Sequence, residues 1–152
     1  MDDNDLLVER VSGASEELVE AMARLVPQLS SSAPAPDLAD LERVATAPGS
    51  SLLVARVGSL GNRIVGSLTL VTYRIPTGLH AVIEDVVVDE SARGRGVGTA
   101  LTAEAARLAR AQGAVHVNLT SRPSREAANR LYERAGFVKR ETNVYRKSLE
   151  GA

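Results

Sequence analysis

A segment rich in glycine and arginine joins a β-branched stretch to a segment with helical periodicity. It consists of Arg93, Gly94, Arg95, Gly96, Val97, Gly98 and Thr99. The first turn of an α-helix has N–H groups without intrahelical acceptors, and glycine lets a phosphate approach the backbone closely. The two arginines add positive charge. The pattern predicts a pyrophosphate-binding helix start, and a solvated glycine-rich turn is the alternative interpretation.

Two common nucleotide-binding loops do not fit this segment. A P-loop requires Lys followed by Ser or Thr after its last glycine, and the dinucleotide-binding fingerprint requires a third glycine where Thr99 stands. Neither pattern is met, so the segment is neither of these two loops.

The surrounding sequence predicts the elements that must position this segment. Strands are expected at 6–11, 52–57, 64–73, 80–88 and 116–120, and helices at 15–29, 37–46, 97–112 and 125–135. Pro27 is expected to kink or end the first helix. The stretches 138–141 and 144–149 are expected to form a terminal pair of strands. This order of elements predicts an α/β fold, with a mixed sheet and helices on both faces.

Composition narrows the domain organisation and the partners. A chain of 152 residues with 44% hydrophobic residues is expected to form a single domain over 1–152. Its formal net charge is -1 and its aromatic content is 3%, so neither nucleic acid nor a membrane surface is an expected partner. Without a signal-like or bilayer-spanning apolar run, the expected location is cytoplasmic.

The residue types also exclude some chemistry. The sequence has no cysteine, which removes thiol nucleophiles and disulfides, and its two histidines are too few to favour a histidine-rich metal site. No metal is expected.

Three segments together resemble one family. Arg93-x-x-Gly96-x-Gly98 is similar to the signature of the GNAT family of acetyl-CoA-dependent N-acetyltransferases, in which Arg or Gln is followed by x-x-Gly-x-Gly or Ala. The stretch 83–89 resembles the family's fourth strand, and 129–137 resembles its helix ending in Tyr-Glu-x-x-Gly-Phe. The resemblance runs from about Ser51 to the end of the chain. It implies a mostly antiparallel sheet that is splayed between strands 4 and 5.

The resemblance also implies an activity and a co-substrate. The activity is transfer of an acetyl group from acetyl-CoA to a primary amine of a small molecule or peptide, by direct attack in a ternary complex. Strand 4 would bind pantetheine through its backbone, and the Val86 N–H would polarise the thioester carbonyl. The residues implied for acetyl-CoA binding are Val86, Val87, Val88, Arg93, Gly94, Arg95, Gly96, Val97, Gly98, Thr99, Asn129 and Arg125.

Tyr132 matches the family tyrosine that stands near the CoA sulfur, which implies a general acid for the leaving thiolate. The alternative is a packing role, because Leu131, Tyr132 and Ala135 also form an apolar face. Arg125 stands where many members have asparagine, so it would contact a CoA phosphate or simply be solvated. Asn129 would contact pantetheine or cap the chain locally.

Glu84 is the preferred general base. Strict alternation along a strand would put its side chain on the same face as Val86 and Val88. Its other roles would be binding of the substrate ammonium group or a surface ion pair. Some family members carry an acidic residue on the fifth strand, where this chain has Thr120, which cannot act as a base.

The sequence leaves three points open. A non-catalytic acyl-CoA-binding sensor or interaction module is the alternative function, and Thr120 is its best support. The acceptor amine is not identified, although an acidic patch around Asp37, Asp40 and Glu84 would suit a cationic one. A homodimer is compatible with the resemblance.

Overall fold

The computed structural model describes residues 5–151, and within this range the chain forms five strands and four α-helices. In chain order they are β1 (Leu6–Arg10), α1 (Glu16–Leu29), α2 (Leu38–Thr46), β2 (Ser50–Val57), β3 (Arg63–Ile75), β4 (Gly78–Val88), α3 (Val97–Ala111), β5 (Val117–Asn118) and α4 (Glu126–Arg134). The predicted elements as far as α4 are therefore confirmed. None of these helices is long and apolar enough to cross a membrane.

The strands lie in one sheet in the order β1-β2-β3-β4-β5. The first four are antiparallel and joined consecutively, whereas β5 is parallel to β4 because α3 forms the crossover between them. Only two residue pairs join these last strands, Ala81 with Val117 and Val82 with Asn118. The predicted mixed, mostly antiparallel sheet is confirmed, and β4 and β5 separate after Val82.

Helices cover both faces of the sheet, as predicted. On the α1 face, the buried side of α1, including Leu18 and Leu25, packs with Leu41 of α2 against the sheet. On the α3 face, Val97 and Leu101 of α3 pack against a second buried cluster. Each helix buries one apolar stripe, which is how an amphipathic helix stabilises an open sheet.

Local signals set the helix ends on the α1 face. The Ser15 hydroxyl accepts a hydrogen bond from the Leu18 N–H at 3.2 Å and caps α1, and a reciprocal capping box of Asp37 and Asp40 starts α2. Helix α1 continues through Pro27 to Leu29, and the Ser30 N–H bonds to the Val26 carbonyl at 2.9 Å. Because Pro27 lies in the last turn, its missing N–H interrupts little of the helix.

The predicted terminal pair of strands is wrong. Residues 138–149 form neither strand nor helix, and the large apolar side chains in this segment are between 73% and 87% exposed. They are Val138, Val144, Tyr145 and Leu149. The last strand of the sheet, β5, is two residues long and offers few backbone groups for a further strand to pair with. An alternating apolar pattern is therefore not sufficient to form strands here.

Candidate active site

Strand β4 contains a β-bulge at the point where the sheet begins to splay. Ser67 of β3 pairs with Val87, but Thr69 pairs with Glu84, so Asp85 and Val86 both stand opposite Leu68. Asp85 has a φ of 51°, in the left-handed region that aspartate tolerates better than most residues. Neither Asp85 nor Val86 has a partner in the described registers with β3 and β5. The bulge therefore takes the Val86 backbone out of the regular ladder.

The bulge reverses the alternation of side chains along β4, which corrects the prediction for Glu84. Ile83, Val86 and Val88 all pack on the α3 face, whereas Val87 is buried on the α1 face. Glu84 precedes the extra residue, so its side chain lies opposite to Ile83 and does not share the face of Val86 and Val88. A strict period of two cannot anticipate an inserted residue.

Two cavities meet at this bulge. The splay cleft, about 150 Å³, lies between β4 and the segment after β5. It is lined by Leu29, Ile83, Glu84, Asp85, Val86, Leu119, Thr120, Arg125 and Tyr132. The α2 cavity, about 480 Å³, lies between α2 and the sheet and is lined by Asp40, Arg43, Val44, Ala47, Ser50, Thr69, Glu84 and Asp85. Glu84 and Asp85 border both spaces, so a molecule in either would meet these carboxylates.

The glycine-arginine segment forms the predicted helix start. Gly94 and Gly96 have φ values of 77° and 78°, in the left-handed region, and Gly96 is the N-cap of α3 without a side-chain cap. Within residues 5–151, the N–H groups of 94–99 donate to no protein acceptor. These N–H groups and the positive end of the α3 dipole are suited to an anion.

The helix start packs tightly on its neighbours. A Cβ at Gly98 would lie 2.8 Å from Leu131 Cδ1 on α4, and one at Gly66 of β3 would lie 2.8 Å from Val97 Cγ1. Both distances are too short for a real Cβ. Glycine at these positions therefore lets the start of α3 approach both the sheet and α4, the helix that carries Tyr132.

The two arginines of the segment differ in environment. Arg93 is exposed, whereas Arg95 is half-buried and donates a hydrogen bond to the Ser59 hydroxyl at 3.3 Å. Ser59 lies in the turn between β2 and β3, and nothing in the sequence pattern pointed to it.

Tyr132 borders the splay cleft. Its side chain is buried, with the residue only 7% exposed, and its ring meets that of Phe137 edge-on at 5.9 Å. Burial raises the pKa of Tyr132 above its ordinary value of 10.0, and the nearby Arg125 charge opposes the rise. The hydroxyl makes no hydrogen bond within the described residues. The side chain thus satisfies the packing interpretation and also presents a protonated hydroxyl at the cleft.

Three further predicted residues have particular positions. Arg125 borders the cleft at the N-cap of α4. The Asn129 amide donates to the Arg122 carbonyl at 3.1 Å, which is the local capping role. Val87 is buried on the α1 face, so only its backbone remains for a ligand on the other side. Val88 packs partly buried on the α3 face.

The predicted acidic patch is only partly assembled. Asp40 and Glu84 border the α2 cavity, whereas Asp37 is not among its lining residues. Asp40 forms an ion pair with Arg43 and completes the capping box of α2, so its negative charge is already compensated within this helix. The side chains of Glu84 and Asp85 form no hydrogen bond or ion pair within the described part of the chain. The free negative charge therefore lies at the bulge.

Comparison with known proteins gives a family match and several similar structures. The Acetyltransferase (GNAT) family matches residues 16–137. The structure is similar to an acetyltransferase of Trypanosoma brucei, with a TM-score of 0.75, 28% identity, and coverage of 95% of this chain and 100% of that one. An aminoglycoside acetyltransferase from an uncultured soil metagenomic sample is similar with a TM-score of 0.84 and 20% identity, over 99% and 100% of the two chains.

A third similar structure is an aminoglycoside N-acetyltransferase in complex with CoA. Its TM-score is 0.77 and its identity 18%, over 95% of each chain. No curated protein has a significant sequence match to the chain. At these identities the two aminoglycoside enzymes indicate a shared fold alone. Since the family match covers most of the sequence, the chain belongs to the GNAT family of acetyltransferases.

Proposed function

We propose that this protein is an N-acetyltransferase that transfers an acetyl group from acetyl-CoA to the primary amine of a small molecule or peptide. Direct attack in a ternary complex would need no covalent enzyme intermediate. The observation that carries the proposal is the adjacency of two features. Tyr132 borders the splay cleft, and the α4 residue before it, Leu131, packs against Gly98 of the anion-binding helix start.

The chain's residues fit the CoA part of the substrate. The N–H groups of 94–99 would bind the pyrophosphate, and left-handed Gly94 and Gly96 bring no side chain between the backbone and the phosphates. Arg93 and Arg95 would add charge, and Arg125 at the cleft is available to a phosphate. When bound, acetyl-CoA supplies the thioester that is attacked. The Val86 backbone, which has no register partner on β3, would donate its N–H to the thioester carbonyl oxygen.

Tyr132 would act as the general acid. In the reaction the amine nitrogen forms a bond to the acetyl carbon, the carbon–sulfur bond breaks, and the sulfur leaves with the bonding electrons. The Tyr132 hydroxyl would donate a proton to that sulfur. Its raised pKa keeps the phenol protonated at neutral pH, which an acid requires.

Glu84 would act as the general base. An amine attacks only when neutral, so a proton must leave the nitrogen. The Glu84 carboxylate would accept it directly or through a water molecule. Its position at the border of both cavities supports this role, because an acceptor in the α2 cavity would present its amine there. Asp85 borders the same two spaces and would help hold the ammonium form before deprotonation.

The α2 cavity is the proposed acceptor site. The free carboxylates at the bulge favour a cationic acceptor electrostatically. Two similar structures are of one aminoglycoside acetyltransferase, bound to sisomicin in one and to trehalose in the other. The acceptors to test first are accordingly small molecules with more than one amine.

A non-catalytic acyl-CoA sensor is the second candidate. Thr120 borders the splay cleft where some relatives carry an acidic residue, and threonine cannot serve as a base. A sensor would bind acetyl-CoA without turnover.

A thiol-release assay separates the two candidates. Acetyl-CoA is supplied with a panel of amino sugars, diamines and lysine peptides, and CoA binding is measured in parallel by calorimetry. We expect turnover with some acceptor, and a fall in kcat of about 100-fold in Tyr132→Phe with CoA binding retained.

Tyr145→Phe is the control, because it removes the same hydroxyl from the exposed tail and should leave kcat unchanged. Binding without turnover on any amine would favour the sensor. A Tyr132→Phe enzyme as fast as the wild type would exclude the acid role.

A further inference from the structure

A chain of hydrogen bonds links Asp5, Ser59 and Arg95, and we call it the relay. The Ser59 hydroxyl accepts from the Arg95 guanidinium at 3.3 Å and donates to Asp5 Oδ2 at 2.6 Å. The Ser59 N–H donates to Asp5 Oδ1 at 2.8 Å. Asp5 thus uses both carboxylate oxygens on one serine, and that serine contacts the arginine of the phosphate-binding segment.

The backbone fixes the outer part of this relay. The Gly58 N–H donates to the Asp5 carbonyl at 2.8 Å, and a Cβ at Gly58 would lie only 2.5 Å from Asp5 Oδ1. Glycine at 58 therefore lets the carboxylate lie directly against the turn that carries Ser59. The hydrogen bond from the Ser59 side chain is the largest cause that lowers the pKa of Asp5, and the Arg95 charge acts in the same direction. The carboxylate is therefore ionised at neutral pH and electrostatically coupled to Arg95.

Arg93 lacks such a support. Although both arginines flank Gly94, the guanidinium of Arg93 forms no hydrogen bond or ion pair within residues 5–151, and its residue is exposed. A long side chain free in solvent loses rotamer entropy when it binds a ligand, whereas one already held loses less.

We propose that Ser59, supported by Asp5, is a positioning residue that pre-organises Arg95 for binding the phosphates of CoA. The relay holds the Arg95 guanidinium on the Ser59 hydroxyl before the ligand arrives. Arg95 then binds at a lower entropic cost than Arg93 does. This inference rests on the proposed CoA site but not on the identity of the acceptor.

Calorimetry with CoA as the probe tests the relay. We expect Ser59→Ala to weaken CoA binding about threefold, within the range that loss of one hydrogen bond gives, and Arg95→Met to weaken it about tenfold. In the Arg95→Met background, Ser59→Ala should have no further effect, because the two residues act through one guanidinium. Ser59→Thr keeps the hydroxyl and should restore wild-type binding.

Two controls separate positioning from general damage. Arg107→Met makes the same charge change farther along α3, where Arg107 pairs with Glu104, and should leave CoA binding unchanged. Acetyl-pantetheine lacks the pyrophosphate and adenosine, so the KM for it should be equal in the wild type and Ser59→Ala. General damage to the fold would instead raise both the Kd for CoA and the KM for acetyl-pantetheine.

The sign of the effect is decisive. Tighter CoA binding by Ser59→Ala would mean that the relay holds Arg95 away from the phosphates, and additive losses in the double variant would mean that the residues act independently. Either result overturns the inference, as does wild-type affinity in Ser59→Ala, while the proposed function survives all three. Failure of the wild type to bind CoA would instead overturn the proposed function and this inference together.

Discussion

The two proposed binding surfaces on either side of β4 come from different parts of the chain. On the α3 face, the proposed anion site consists of backbone N–H groups at a helix start, with glycines that keep the approach open. On the α1 face, the α2 cavity is lined by side chains from α2, β2, β3 and β4. A backbone site places one chemistry at one sequence motif, whereas a side-chain cavity draws on residues scattered along the chain. The first kind of site can be recognised from a sequence motif. The second kind can acquire a different ligand through substitution of its lining residues.

The largest expected effect lies at the bulge that joins the two sides. Glu84→Gln should lower kcat by about 100-fold, because the amide cannot accept the proton of the attacking amine. CoA binding should not change, since the variant leaves the N–H groups of the α3 side in place. Steady-state kinetics with saturating acceptor and calorimetry with CoA measure the two quantities.

Asp85→Asn is the matched comparison. Asparagine tolerates the positive φ of this position, so the backbone should keep its bulge. We expect it to raise the KM for the acceptor more than it lowers kcat. If Asp85→Asn alone abolished kcat while Glu84→Gln remained active, the assignment of the base would be reversed.

A smaller effect is expected from a substitution on the backbone-built side. Gly96→Ala should weaken CoA binding about tenfold, because the left-handed conformation disfavours a Cβ and the N-cap geometry of α3 would shift. The site has room for the atom, so overpacking does not contribute.

Gly113→Ala controls for this strain. Gly113 also has positive φ, and its Cβ would meet only an ordinary contact at 3.7 Å. Both variants should lower the free energy of unfolding by about 1 kcal/mol, but only Gly96→Ala should weaken CoA. Equal CoA affinities in the two variants would show that the segment does not bind phosphate through its backbone.

The smallest effect is expected in the short turn that immediately precedes Arg93. Buried Asp89 accepts hydrogen bonds from the Ser91 N–H and hydroxyl, each at 3.0 Å, and the backbone bond is the main cause that lowers its pKa below the ordinary value of 3.8. A carboxylate with a lowered folded-state pKa stabilises the fold above its unfolded-state pKa, and this contribution is lost as pH falls through the folded-state pKa.

Asp89→Asn should therefore cost about 1 kcal/mol at pH 7, and the gap to the wild type should narrow as the pH falls below 3.8. Urea unfolding across this range measures the gap. Glu150→Gln in the exposed tail is the control and should follow the wild-type curve. A gap independent of pH would mean that the Asp89 charge does not contribute to stability.

The same contrast explains what could be predicted from sequence. Segment 93–99, the order of strands and helices as far as α4, and the cleft position of Tyr132 follow from local spacing and from the resemblance to the family. The orientation of Glu84 could not be predicted, because a single inserted residue at Asp85 reverses the alternation. The contacts of Ser59 could not be predicted either, because they are made with Asp5 and Arg95, which lie 54 and 36 positions away in the sequence. The tail was mispredicted because strand formation depends on the partner edge as well as on the strand's own residues.

The bulge at Asp85 also has a consequence for how this chain tolerates insertions and deletions. Many side chains in β4 can be exchanged without altering which way their neighbours point. Removing Asp85 would instead leave Val87 on the α1 face and Val86 and Val88 on the α3 face, because the strand would then alternate regularly and Val86 would stand opposite Leu68. A deletion at this position should therefore preserve the packing of the core while returning the Val86 backbone to the ladder, whereas a deletion elsewhere in the strand would reverse its faces.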